Sequence, residues 1–124
     1  MKSILLVDDE RDILDSLGAS LRRSGYKVFL APTGQEALTL AKKEHPHLII
    51  LDLILPDVDG SDVAARLLGD AETRQIPIIF LTSIMTKQEQ EKEGTQIGAN
   101  CVVAKPCRPE EILALVRDRI GPAA

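Results

Sequence analysis

The sequence predicts an α/β fold built on one parallel sheet, and three observations carry that reading. Ile4–Val7, Leu48–Leu51 and Ile78–Leu81 are unbroken apolar runs, the pattern of strands buried on both faces. Between such runs, apolar residues recur at helical spacing. Strand and helix alternate strictly through five units, which implies right-handed crossovers and helices on both faces of the sheet.

Each element has its own signal. The first strand, Ile4–Val7, ends at Asp8-Asp9-Glu10; Ile13, Leu14, Leu17 and Leu21 then mark a helix that Gly25 can stop. Lys27–Ala31 is a second short strand. Thr33 caps the next helix, and Glu36 three residues on completes a capping box. Ala37, Leu38, Leu40 and Ala41 form that helix's apolar face, and Pro46 ends it. The third strand, Leu48–Asp52, runs toward a turn at Pro56-Asp57 and Asp59-Gly60. A third helix starts near Ser61, carries Val63, Leu67 and Leu68 inward, and stops at Gly69. Pro77 introduces the fourth strand, which finishes on two hydroxyls, Thr82 and Ser83. Residues 87–95 are almost wholly polar and include Gly94, so a helix there is expected to be short or mobile. Ala99–Ala104 is the fifth strand, and Lys105-Pro106 follows it. The last helix opens on Pro109, Glu110 and Glu111, with proline in the first turn and acids favouring the dipole. Its buried face is Ile112, Leu113, Leu115, Val116 and Ile120. Residues 1–121 read as one domain, and the end of the chain, 122–124, as a frayed tail or the first residues of a linker if the chain was cut from a longer one.

Composition narrows the function. The 15 basic and 19 acidic side chains give a net charge of −4, spread along the chain, which argues against a nucleic-acid-binding surface. Tyr26, Phe29 and Phe80 are the only aromatics, too few for base-stacking platforms. The apolar run near the N-terminus is too short for a signal peptide or a membrane span, so a cytoplasmic protein without membrane contact is expected. Cys101 and Cys107 lack the Cys-x-x-Cys spacing and read as reduced thiols. His45-Pro46-His47 reads as a polar turn, since no partner ligands lie nearby.

In an open parallel sheet, ligands bind outside the carboxyl ends of the strands. The alternation pattern brings Asp8 and Asp9, Asp52, Thr82 and Lys105 to that edge, from the first, third, fourth and fifth strands. Three carboxylates that close repel one another unless a cation joins them. Hard oxygen ligands without a thiolate or convergent histidine favour Mg²⁺ over zinc, and Mg²⁺ completes its shell with waters and phosphate oxygens. That chemistry points to phosphoryl transfer. Asp52 is then the nucleophile, able to form an aspartyl phosphate, while Lys105 and the Thr82 hydroxyl donate to the phosphoryl oxygens. Asp57-Val58-Asp59-Gly60 superficially suggests an Asp-x-Asp-Gly phosphatase motif, but Asp57 follows Pro56 in a turn instead of ending a strand.

On these residues the chain resembles the receiver domain of two-component response regulators. The matching segments are Ile4-Leu5-Leu6-Val7-Asp8-Asp9-Glu10, Leu51-Asp52-Leu53-Ile54-Leu55-Pro56-Asp57-Val58-Asp59-Gly60, Leu81-Thr82-Ser83 and Ala104-Lys105-Pro106. Together, in order and at the ends of four strands, they are highly specific. The resemblance implies a flavodoxin-like, doubly wound five-stranded parallel sheet of order 2-1-3-4-5 with five helices. It further implies that Asp52 is the phosphoacceptor, that Asp8 and Asp9 bind the metal with Asp52, and that the backbone carbonyl of Ile54 completes the metal site. Thr82 and Lys105 match the groups that contact the phosphoryl oxygens, and Lys105–Pro106 is similar to a bond that is cis in the family. Val102 stands where the family usually has an aromatic switch residue, and Cys107 where an apolar aromatic often follows Lys-Pro.

The leading expectation is therefore a stand-alone, Mg²⁺-dependent phosphoacceptor switch supplied by a sensor histidine kinase or histidine phosphotransfer protein. Its catalysis would be limited to phosphoryl transfer onto its own aspartate and loss from it. Output would pass by contact with an unidentified downstream protein, without direct nucleic-acid binding, from a monomer or a phosphorylation-dependent dimer. Ile54 and Ile84 are expected to flank the site and hinder water. The alternatives are a degenerate module that signals without phosphorylation, for which Val102 is the encouragement, and a Mg²⁺-dependent phosphatase acting on free substrates.

Overall fold

A computed structural model describes residues 1–82, 96–97, 100–105 and 108–123. Six strands form one sheet: β1 (Ser3–Val7), β2 (Lys27–Ala31), β3 (Leu48–Asp52), β4 (Ile78–Thr82), β5 (Gln96–Ile97) and β6 (Asn100–Ala104). The described helices are α1 (Arg11–Arg23), α2 (Gly34–Glu44), α3 (Gly60–Leu68) and α4 (Pro109–Ile120). Strand order is β2-β1-β3-β4-β6-β5. All pairs are parallel except β5 with β6, where Gln96 faces Cys101 and Ile97 faces Asn100. The five parallel strands thus take the expected 2-1-3-4-5 order, and the two-residue antiparallel strand is added at the edge. The expected helix over 87–95 lies outside the described residues, as do Ser83, Ile84, the Lys105–Pro106 bond and Cys107.

Every residue of β1, β3 and β4 is buried, because the sheet is covered on both sides. Alternate strand residues feed two cores. Ile4, Leu6, Leu48 and Ile50 pack with Leu14, Leu17 and Leu21 of α1 and with Ile112 and Val116 of α4. Leu5, Val7, Ile49 and Leu51 pack instead with Ala37 and Ala41 of α2 and with Val63, Ala64 and Leu67 of α3. Leu68 departs from expectation: it is 52% exposed, because α3 turns Val63, Ala64 and Leu67 to the sheet, which puts the next position on the outer side.

The helix ends follow local chemistry. Thr33 Oγ1 accepts from the Glu36 N–H at 3.2 Å, the first half of the predicted capping box. Helix α2 ends at Glu44 with His45 in the left-handed region, at φ 47°. His47 Nδ1 then accepts from the Ser3 N–H at 3.0 Å, so the His-Pro-His turn is held to the start of β1. The tail departs from the expected fraying. Lys2 N–H donates to Ala123 O at 2.9 Å, Tyr26 Oη donates to Gly121 O at 2.7 Å, and Ala123 joins the α1/α4 core. Those partners close the amino edge of the sheet with backbone hydrogen bonds and a small buried side chain, which is enough to order residues 121–123. Among the described residues, no helix is long and apolar enough to cross a membrane.

Candidate functional site

The carboxyl ends of β1 and β3 are neighbours in the sheet, so the residues just beyond Val7 and Leu51 emerge side by side. Asp8 is fully buried and Asp52 is 4% exposed, whereas Asp9 is exposed. One carboxylate oxygen from each of Asp8, Asp9 and Asp52 lies within 4.8 Å of the other two. Lys105, one residue past β6, reaches into the same place with a side chain only 8% exposed. Its Nζ stands 2.8 Å from Asp8 Oδ2 and 2.9 Å from Asp52 Oδ2. The ammonium also reaches Glu10 Oε1 at 3.3 Å.

Backbone groups fix the acids. Asp8 Oδ1 accepts from the Glu10 N–H at 2.9 Å and Asp52 Oδ1 from the Ile54 N–H at 3.1 Å. Asp8 Oδ2 is shut off from solvent and has the Lys105 ammonium as its near neighbour. A buried carboxylate oxygen with a free lone pair, beside two other carboxylates, is what a hard divalent cation requires. The donor set therefore fits Mg²⁺.

Electrostatics agree with that picture. Burial is the largest influence on Asp8 and pushes its carboxyl above the ordinary range. The Lys105 ammonium and the Glu10 N–H pull the other way, while the charge on Asp52 adds to the rise. Burial also works against the Lys105 ammonium, but its contacts with Asp8 and Asp52 outweigh that cost and raise its pKa above the usual lysine range. Four carboxylates around one ammonium leave a formal excess of three negative charges.

Thr82 ends β4, fully buried, opposite Ala104 of β6. Its carbonyl accepts from the Lys105 N–H at 2.8 Å, so the threonine and the lysine are fixed to one another through the backbone. Ile54 is 48% exposed at the mouth of the site. The structure thus brings Asp8, Asp9, Asp52 and Lys105 into contact distance, sets Thr82 on the next strand end, and leaves Ile54 on the rim. Val102, fully enclosed opposite Phe80, belongs to the core on the α2/α3 side.

Two residues escaped the sequence reading. Glu10 looks like one more acid at a helix N-terminus; it is the N-cap residue of α1, but its side chain makes no cap bond there and goes to Lys105 instead. Asp57 accepts from the backbone N–H groups of Gly34 at 2.9 Å and Gln35 at 3.0 Å. It thereby caps α2 from the loop that leaves Asp52, and those two bonds hold its carboxyl below the ordinary range.

Fold and pocket together define a doubly wound domain whose acidic chemistry sits between β1 and β3, where the strand order reverses. The chain belongs to the response regulator receiver domain family, whose pattern matches residues 4–117. Receiver domains are signalling modules of two-component systems with an acidic Mg²⁺ site. The chain is 40% identical to the alkaline phosphatase synthesis transcriptional regulatory protein PhoP of Bacillus subtilis, over 94% of its own length and 47% of that protein's. It therefore spans about half the length of the curated relatives it matches. Among solved structures it resembles a CheY-like response regulator receiver domain protein from Methanospirillum hungatei (TM-score 0.83, 28% identity, 97% and 94% of the two chains). It is equally similar to the receiver domain of a sensor histidine kinase from Pseudomonas aeruginosa (TM-score 0.83, 31% identity, 97% and 98% covered), which holds a magnesium ion in its active site cleft.

Proposed function

We propose that this receiver accepts a phosphoryl group on Asp52 from a histidine kinase or histidine phosphotransfer protein and signals the change by protein contact. The observation that carries the reading is the meeting of three carboxylates at one sheet edge with the buried Lys105 ammonium between Asp8 and Asp52. An Asp52 oxygen forms the new P–O bond as the donor's P–N bond breaks. Asp8, Asp9, Asp52 and the Ile54 carbonyl would hold Mg²⁺, which offsets charge on the transferring group when bound. Lys105, already 2.9 Å from Asp52, donates to one phosphoryl oxygen and the Thr82 hydroxyl to another. Replacing a singly charged carboxylate with a group of nearly double charge is the electrostatic event a partner reads.

Catalysis ends at transfer onto Asp52 and hydrolysis from it. Ile54 on the rim slows that hydrolysis by excluding water, so Ile54→Asn is expected to shorten the lifetime of the phosphorylated state. The central test is intact mass after incubation with acetyl phosphate and Mg²⁺. One phosphoryl adduct on wild type, absent from Asp52→Asn and lost with EDTA, is the expected result. No adduct on folded protein would favour the degenerate module, and sustained phosphate release from a small phosphomonoester would favour a phosphatase.

A further inference from the structure

Lys105 is shared among three acids, two of which would also bind a metal. Its Nζ lies 2.8 Å from Asp8 Oδ2, 2.9 Å from Asp52 Oδ2 and 3.3 Å from Glu10 Oε1. The ammonium therefore sits as a resident cation on two of the acids that would bind Mg²⁺. Two cations sharing Asp8 and Asp52 would repel in a site this buried. Of the three acids, Glu10 alone lies outside the group that would bind the metal. Asp8 and Asp52 cannot follow the lysine, their side chains being 0% and 6% exposed, but the Glu10 side chain is 58% exposed and free to move with it.

We propose that Glu10 is a positioning residue that holds the Lys105 ammonium beside Asp52 once a divalent cation takes over Asp8. This rests on the receiver reading above. Glu10 suits the task because its side chain makes no cap bond to α1, while its own N–H keeps Asp8 Oδ1 in place. Without Glu10 the displaced ammonium would lose its one mobile partner, so metal binding would weaken and Lys105 would be poorly placed for the incoming phosphoryl oxygens. The role is exerted through Lys105 and not on the metal directly.

A double-mutant cycle on Mg²⁺ affinity, measured by titration calorimetry, separates the two routes. Glu10→Gln in the wild-type background is expected to weaken binding about 3- to 10-fold. In a Lys105→Met background, where no ammonium needs a new partner, the same change is expected to cost under about 2-fold. An equal loss in both backgrounds would overturn the proposal, since Glu10 would then act on the metal by its own charge. A second readout needs no lysine variant: the ¹⁵N signal of the Lys105 ammonium should stay sharp in Mg²⁺-saturated wild type and broaden in Mg²⁺-saturated Glu10→Gln. Persistence in both also overturns it. Wild type that binds no Mg²⁺ defeats the phosphoacceptor reading itself, a result distinct from an uncoupled cycle.

Discussion

The carboxyl edge of the sheet and the first turn of α2 each seat an aspartate, in opposite ways. Asp8 is fully buried and its carboxyl is pushed up; Asp57 is exposed and its carboxyl is pulled down by the Gly34 and Gln35 N–H groups. Asp57 satisfies two of the donors that a helix start leaves unpaired at little desolvation cost. Asp8 gives up hydration for a place beside Asp52 and Lys105. The first arrangement contributes to folding, while the second lowers stability for the sake of a cation site. The chain leaving Asp52 is thus anchored at Asp57 to the first turn of α2.

The largest expected effect contrasts the glycine beneath each region. A Cβ at Gly60 would collide with Asp52 O and lie 2.6 Å from Leu53 Cα, both backbone atoms, whereas one at Gly34 would meet methyls of Val58 and Val63. Gly60→Ala should therefore lower Tm by roughly 10 °C or more, since backbone cannot yield. Gly34→Ala should cost about half as much in the same thermal melts, because valine side chains can shift. Equal losses would mean that the two regions are equally rigid.

Next in size is Asp8→Asn. Its raised carboxyl means that ionisation costs the folded state, and that cost is full above the folded pKa and absent below the unfolded one near 3.8. The variant should melt roughly 2–5 °C higher at pH 7, with the gain fading as the pH is lowered toward 4. Mg²⁺ affinity, read by calorimetry, should fall at least about 10-fold. A destabilised Asp8→Asn would show that the Lys105 pair outweighs burial.

Asp57→Ala tests the other side with the opposite sign. Its depressed carboxyl contributes stability that is present above 3.8 and lost as pH falls through the folded value. Tm should drop a few degrees at pH 7, the curves of wild type and variant converging in acid, while Mg²⁺ affinity stays within about 2-fold. The smallest effect is expected from Lys42→Ala, which breaks the exposed 3.2 Å pair with Asp70 and should move Tm by under about 2 °C.

Much of this was legible in the chain because local signals and topology agreed. The unbroken, short runs of β1, β3 and β4, bounded by turn signals, read as strands covered on both sides, and strict alternation then sends their following residues to one edge. Asp8, Asp9, Asp52 and Lys105 came together for that reason. What stayed hidden depends on particular side-chain reach. Glu10 and Lys105 are 95 residues apart, and an acid at a helix start has a sufficient local explanation. Asp57 meets α2 across 23 residues, while its own neighbours suggest only a turn. Gln96–Ile97 is too short to show alternation. Leu68 was misplaced by extending an apolar pair one position too far around α3.

The backbone hydrogen bond from Lys2 to Ala123 brings two distant stretches of chain together at the amino edge of the sheet. A five-residue strand separates that edge from Asp8, a distance of about 17 Å. Residues 2 and 123 are near enough for a short engineered linker, so the polypeptide can be closed and reopened elsewhere. A circular permutant cut in the exposed turn around Glu72 would keep every strand neighbour in place. The new ends would lie at that same amino edge, leading into β4, and leave the acidic site as it was.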